Sequence, residues 1–210
     1  MIIAIDGPAA AGKGTLARRL AAHFDYAFLD TGRLYRAVGY LVLDGGGDPA
    51  NEADAVAAAR ALDPAALEYV DLHTETVADA ASRVAAIPAV RQVLLDFQRD
   101  FAANPPGGKA GAVLDGRDIG SVVCPDADVK LFVTARPEIR AERRHKELQE
   151  KGLESTHPAV LAEIEARDER DRTRDVSPLL AGDSREIDTS DRTPDAVFEE
   201  VRALVADRTA

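Results

Sequence analysis

The chain has 210 residues, 46% hydrophobic and 30% charged, with a formal net charge of −11, a length that supports one sizeable core with at most a small appended lobe. No stretch approaches the roughly 18 unbroken apolar residues of a membrane span, and a lone cysteine, Cys124, excludes an intrachain disulfide and a thiolate metal cluster. The acidic balance argues against a broad nucleic-acid surface, which needs clustered Lys and Arg.

The chain opens directly on an apolar run, Ile2–Ile5, without a basic n-region, a long apolar h-region or a cleavage site, so a cytoplasmic protein is expected. That run reads as a strand buried on both faces. The loop GPAAAGKGT follows at once, from Gly7 through Pro8, Ala9, Ala10, Ala11, Gly12, Lys13 and Gly14 to Thr15, and leads into a helix over Gly14–His23. This is the strand, loop and helix context that a phosphate-binding loop requires. Without bulky side chains, backbone N–H groups can close around a triphosphate, and the helix points its positive N-terminus at the same oxygens. Lys13 can then reach the β- and γ-phosphates, and the hydroxyl of Thr15 can serve Mg²⁺ directly or through water. Gly14, not Ser or Thr, follows the lysine, a variant that resembles nucleoside monophosphate kinases.

A second strand, Tyr26–Leu29, runs into LDTGRLYR at 29–36, which offers the Thr31 hydroxyl and the Arg36 guanidinium. A helix over Arg33–Leu43 follows. From about Thr31 to Asn104 the pattern gives helices, among them Val90–Phe101, and no convincing strand, so this stretch reads as an inserted lobe. The Gly- and Pro-rich segments GGGDPAN at 45–51 and NPPGGKAG at 104–111 are loops. Strand Ala112–Leu114 then leads to LDGRDIGSVV, which sets Asp115, Arg117 and Asp118 at a strand end. In open parallel sheets ligands bind at the carboxyl ends of strands, so these groups should face the cleft of the loop. Cys124 reads as a small apolar filler. Strand Val129–Val133, apolar enough to be buried on both faces, is followed by helices Pro137–Lys151 and Pro158–Arg170, a last strand Arg185–Ile187 and a helix Pro194–Ala206. Strands alternating with helices imply an α/β protein with a mostly parallel sheet.

Two basic runs stand out, one from Arg136 to Lys151 and one from Arg167 to Arg174. Acidic residues are interspersed in both, so solvated helix faces with ion pairs remain an open reading. In the second run Arg167, Arg170, Asp171 and Arg174 fall at i, i+3, i+4 and i+7, one helical face. That face reads as a salt-bridged surface or as a site where donor and acceptor phosphates meet. No N-K-x-D string for reading guanine occurs, which weakens a regulatory GTPase.

Together IAIDGPAAAGKGT, LDTGRLYR, AASRVAAIPAVR, LDGRDIGSVV, RDERDRTR and SPLLAGDSREIDTS cover nearly the whole chain in order, and they resemble the bacterial cytidylate kinase family. The resemblance implies transfer of the γ-phosphoryl group of ATP to CMP or dCMP, with Mg²⁺, in a cytoplasmic, monomeric enzyme that binds neither nucleic acid nor membrane. It implies a P-loop kinase core with a five-stranded parallel sheet flanked by helices, over residues 1–30 and 105–210. It implies as well an inserted helical monophosphate-binding lobe over 31–104 and a short lid over about 140–156. Gly7 to Thr15 would bind ATP, and Thr31, Arg36, Arg117 and Arg174 would surround the acceptor, with Lys13, Arg117 and Arg174 acting on the transferring group. Ser82, Arg91 and Asp118 would read cytosine, and Arg167 and Asp171 would hold the ribose. Arg140, Arg143 and Arg144 fall where the family places its lid, and Thr15 and Asp115 would serve the metal.

The base assignments have a chemical basis of their own. Cytosine presents a donor at N4 and acceptors at N3 and O2, which a carboxylate and a guanidinium complement; uracil would turn its O4 acceptor against Asp118. The sequence departs from the family in an all-alanine AAAGKGT, in Arg33 within LDTGRLYR, and in a short segment between Leu62 and Val77. A kinase of UMP, AMP or a hydroxy acid, and a non-catalytic nucleotide-binding protein, are the competing expectations. Lys13 and the full arginine set argue against the second of these.

Overall fold

The computed structural model of the chain describes residues 1–63, 72, 74–174 and 176–209. Among the described residues, five strands form one parallel sheet: β1 (Ile2–Asp6), β2 (Ala27–Asp30), β3 (Ala112–Gly116), β4 (Val129–Thr134) and β5 (Arg185–Asp188), in the order β2-β3-β1-β4-β5. The helices between and after them are α1 (Lys13–Phe24), α2 (Thr31–Asp44), α3 (Glu52–Arg60), α4 (Glu75–Val84), α5 (Pro88–Ala103), α6 (Pro137–Glu150), α7 (His157–Thr173) and α8 (Pro194–Thr209). A single π-helical turn, Ile119–Val123, follows β3.

Each expected strand is present, one or two residues from its expected ends. β1 is buried from Ile3 to Asp6 and β3 along its whole length. β4 departs from expectation, because it alternates and is not buried on both faces. Val129, Leu131 and Val133 join Ile3, Ile5, Leu16, Leu20, Val201 and Val205 in a core between the sheet, α1 and α8. Its other face carries Lys130, which reaches Asp183 at 2.8 Å, and Phe132 and Thr134, which line a shallow groove. On the opposite side of the sheet Ala4, Ala112 and Leu114 pack with Ile119, Val123 and Cys124. Cys124 is thus the buried apolar filler its sequence context suggested.

Helices α2 to α5 assemble a separate apolar cluster from Leu34, Val38, Val42, Ala59, Val84, Val90 and Leu94, among others. Helices α3 and α4, which have no individual counterpart in the sequence reading, start on side-chain caps, Asn51 for α3 and Thr74 for α4. The close approach of α2 to α4 needs a residue without a side chain, since a Cβ on Gly39 would lie 2.8 Å from the Ala81 nitrogen. The short segment between Leu62 and Val77 falls largely on residues 64–71 and 73, outside the described residues.

The chain leaves β1 through α1 to β2 on one side, and later crosses from β3 to β4 on the other side of β1. The carboxyl end of β1 is therefore a switch point of the sheet, where open parallel sheets bind ligands. Register brings Ile5 of β1 level with Asp115 of β3, and Asp115 level with Asp30 of β2. Three strands so deliver polar side chains to one edge.

Candidate active site

The loop between β1 and α1 begins at Gly7, where φ is +143° and a Cβ would lie 1.9 Å from the Val133 carbonyl oxygen. Only glycine lets the chain turn there against β4. Gly12, with φ +93°, is the N-cap of α1 and offers no side-chain oxygen, so the first N–H groups of the helix carry no side-chain cap. Lys13 folds back over the loop and donates to the Pro8 carbonyl at 2.7 Å, with its Nζ 4.0 Å from Asp115 Oδ1. Burial, then the neighbouring Arg117, lowers its pKa to about 7. A Cβ on Gly14 would stand 3.2 Å from Asp115 Oδ2. The glycine after the lysine thus keeps space for the carboxylate at the end of β3.

Loop, strand ends and helices α2, α4, α5, α6 and α7 enclose a cleft of about 370 Å³. Most of the residues singled out from sequence line it: Ala9 to Thr15, Thr31, Arg36, Ser82, Arg91, Asp115, Arg117, Asp118, Arg144, Arg167, Asp171 and Arg174. Gly7 and Pro8, at the start of the loop, do not line the cleft. Thr31 donates its proton to the Asp115 carbonyl at 2.7 Å, so in this geometry its hydroxyl braces the end of β3. Asp30 caps α2 through the Arg33 N–H at 3.0 Å and holds Arg36 at 2.8 Å.

Two buried ion pairs divide the far wall. Arg91 pairs closely with Asp118 while donating to the Ala85 carbonyl, and its guanidinium lies 5.3 Å from the centre of the Tyr35 ring. Arg117 donates from Nε to Asp171 at 2.9 Å. Burial acts to raise the pKa of Asp171, but Arg117, Arg167 and Arg174 outweigh it and hold the carboxyl below its ordinary value. Arg167 itself, by burial and then by Arg117, is lowered to about 10. Among the described residues the buried side-chain nitrogens and oxygens lacking a hydrogen-bond partner are Arg36 Nε, Arg167 Nε and Arg174 Nη2. All three residues line this cleft. An unsatisfied buried charged donor costs more than the roughly 1–3 kcal/mol of a neutral one, so the arrangement is one that an anion would stabilise.

At this site the structure corrects one sequence expectation. Arg167, Arg170, Asp171 and Arg174 do not share one helical face, because α7 ends at Thr173 and Arg174 is extended at ψ 141°. Arg170 turns away from Asp171 to α4, where its Nε donates to Ser82 at 3.1 Å and its Nη2 reaches Asp79 at 3.2 Å. Of Arg140, Arg143 and Arg144, Arg144 alone lines the cleft; it pairs with Glu75 of α4 and with Glu147. Arg140 is buried against Asp168, with Nη2 2.6 Å from its carboxylate, and Arg143 donates to Thr189. Both brace α6 instead of reaching inward.

Sequence reading passed over Asp6, Asp30, Tyr35 and Glu75. An acid closing an apolar strand was a usable signal for Asp6 and Asp30; nothing local marks Tyr35 or Glu75. For a divalent cation the donors at hand are the exposed Thr15 hydroxyl and the buried Asp115 carboxylate, with no group of three or more His, Cys, Asp or Glu among the described residues arranged to hold a metal. That sparse oxygen set fits Mg²⁺, which keeps several waters and takes phosphate oxygens as further ligands.

The family model for cytidylate kinase matches residues 3–207. A cytidylate kinase of Paramagnetospirillum magneticum is 60% identical over 208 residues, covering 99% of this chain and 98% of its own. One of Rhodospirillum rubrum is 56% identical over 207 residues, covering 98% and 97%. In structure the chain is similar to an uncharacterized protein from Eubacterium ventriosum, at a TM-score of 0.58 and 13% identity over 98% of each chain, a likeness of fold alone.

Proposed function

The chain belongs to the cytidylate kinase family, and from that premise we propose how its residues divide the work of the reaction. The activity is ATP-dependent phosphoryl transfer to CMP or dCMP, giving CDP or dCDP. The observation that carries the residue reading is the set of three partnerless guanidinium nitrogens in the cleft beside the glycine-rich loop.

The loop from Gly7 to Thr15 and the N-terminus of α1 hold the phosphates of ATP, with backbone N–H groups doing the binding. Lys13, released from Pro8, carries its charge to the transferring group. Arg117 and Arg174 stand between donor and acceptor phosphates, and Arg36 approaches the acceptor phosphate from α2. Reactions of this kind need positioning and charge neutralisation more than a general base. Thr15 and Asp115 would hold Mg²⁺, which neutralises charge on the phosphates when bound. Asp118 accepts from the cytosine N4 amino group and Arg91 donates to N3 and O2. Ser82, whose oxygen already accepts from Arg170, keeps its own proton for the base. Arg167 and Asp171 take the ribose.

Residues 31–104 serve as the monophosphate-binding lobe, a reading supported by their own apolar cluster, with 1–30 and 105–210 as the core. Residues 140–156 form the lid, and Arg144 is its inward-facing cation. The enzyme acts as a monomer, since one chain supplies every group named, and in the cytoplasm with its nucleotide substrates.

Asp118→Asn tests the base reading. The asparagine amide donates where the carboxylate accepted, so the ratio of kcat/KM for CMP over UMP should fall by at least about tenfold, the scale at which an unpaired buried polar group is penalised. An unchanged ratio in coupled assays would contradict it.

A further inference from the structure

Asp6 closes β1 one residue before the loop, and its side chain is buried, 3% exposed. Its hydrogen bonds go to the turn after β3, and its charge also acts on Lys13 of the loop. Its two oxygens accept from the backbone N–H groups of Ile119 and Gly120, each at 2.8 Å, across 113 and 114 residues of sequence. These two amides begin the π-helical turn after β3, and the residue before them, Asp118, supplies no side-chain cap. A turn that begins in the interior leaves its first N–H groups without partners unless something else accepts them. Here the acceptor comes from a different strand, placed by a register that sets Asp6 level with Gly116.

The turn's far end has its own fastenings. The N–H groups of Val122 and Val123 bond to the Asp118 carbonyl, that of Cys124 bonds to Ile119, and Arg99 donates to the carbonyls of Val122 and Val123. At the near end, from which Arg117 and Asp118 project into the cleft, those two side chains pair with Asp171 and Arg91. The first two backbone N–H groups of the turn go to the Asp6 carboxylate, and the side chain of Ile119 is buried. The backbone of Asp6, by contrast, is paired on both sides, level with Gly116 of β3 and Phe132 of β4. The start of the phosphate loop is thereby held without help from the Asp6 side chain.

We infer that Asp6 is a positioning residue for base selectivity: its carboxylate fixes Ile119 and Gly120, and through them the direction in which Asp118 meets Arg91 and the base. The inference rests on the reading of Asp118 and Arg91 as the base-contacting pair. It separates two functions that the sequence runs together, since the acid of the motif IDGP belongs to the acceptor site while the glycine after it belongs to the donor loop.

Asp6→Asn tests this, because an asparagine can accept from one of the two amides and turns its own NH₂ against the other. Measured as kcat/KM, the preference for CMP over UMP should fall by about tenfold, chiefly through KM for CMP, while KM for ATP moves by less than about threefold. A merely structural role would lower all acceptors alike and leave the ratio intact, and that result would overturn the inference. Asp118→Asn, assayed beside it, separates the two possible failures. A ratio lowered by Asp118→Asn but untouched by Asp6→Asn sinks the role of Asp6 alone; a ratio untouched by Asp118→Asn sinks the base reading and this inference with it. If Asp6→Asn does not fold, amide hydrogen exchange on the nucleotide-free wild type decides. The N–H groups of Ile119 and Gly120 should exchange as slowly as those of Val113 and Leu114 in β3, and exchange at the rate of the loop residues Gly107 and Gly108 would overturn the inference.

Discussion

Asp6 also illustrates how a single buried acid can weigh on stability. Desolvation raises its pKa from 3.8 to about 6 against the two backbone hydrogen bonds, which act the other way. A carboxyl with a folded pKa above its unfolded value holds its proton more tightly when folded. Its contribution is therefore fully present below about pH 4 and is lost as the pH rises through about 6. Relative to Asp6→Asn, which has no such titration, the wild type should lose on the order of 3 kcal/mol of unfolding free energy across that window. Urea unfolding of both proteins over the range measures it, and parallel pH profiles would contradict the assignment. At this scale the sequence was informative wherever a motif fixed the chemistry: Lys13, Asp115, Arg117 and Asp118 stand on strand ends or loops that local pattern marks. It was silent where a side chain's partner is remote. Nothing near Asp6 announces Ile119, and nothing near Ser82 announces that Arg170, three residues before Thr173 closes α7, would take its oxygen.

Between elements, the contrast lies in what joins them. The sheet is flanked by apolar clusters and α2 to α5 share another, whereas α4 meets the α6–α7 pair through polar groups: Glu75 with Arg144, Asp79 and Ser82 with Arg170. Those three α4 residues fall at i, i+4 and i+7, one face of the helix. Glu75 thus pairs with Arg144, which of Arg140, Arg143 and Arg144 is the one that lines the cleft. If Arg144 is a phosphate ligand, Glu75 competes with the phosphates for it. Glu75→Gln should then lower KM for ATP by about two- to fivefold, the scale of a partly exposed ion pair worth up to roughly 1 kcal/mol; a KM that rises instead would show that Glu75 assists binding. The strands were legible because short apolar runs between turn signals leave few alternatives. Helix α3 was not, because its alanine-rich segment EADAVAAAR carries little periodic contrast, and the starts of α3 and α4 depend on caps at Asn51 and Thr74. The alternation of β4 was marked by Lys130, but Phe132 on the same half-buried face gives the run an apolar look.

For the whole molecule, alternation of strands and helices gave the class of fold, and the motif order pointed to the family. The strand order β2-β3-β1-β4-β5 does not follow from alternation, because it depends on which side of β1 each crossover passes. That order nevertheless decides the function's geometry: it places β1 between β3 and β4, so that the phosphate loop opens beside the ends of β3 and β2 and faces the arginines of α5 and α7. The central claim is that this cleft pairs a phosphate-transfer centre with a reader of cytosine. The most direct measurement is kcat/KM of the wild-type enzyme for CMP, dCMP, UMP and AMP with ATP, followed by coupled release of ADP. CMP and dCMP should lead, with UMP and AMP behind by about a hundredfold or more, because on the proposed reading uracil turns its O4 acceptor against the buried Asp118 carboxylate and adenine does not match the donors and acceptors of the Arg91–Asp118 pair. UMP or AMP used as efficiently as CMP would contradict the account.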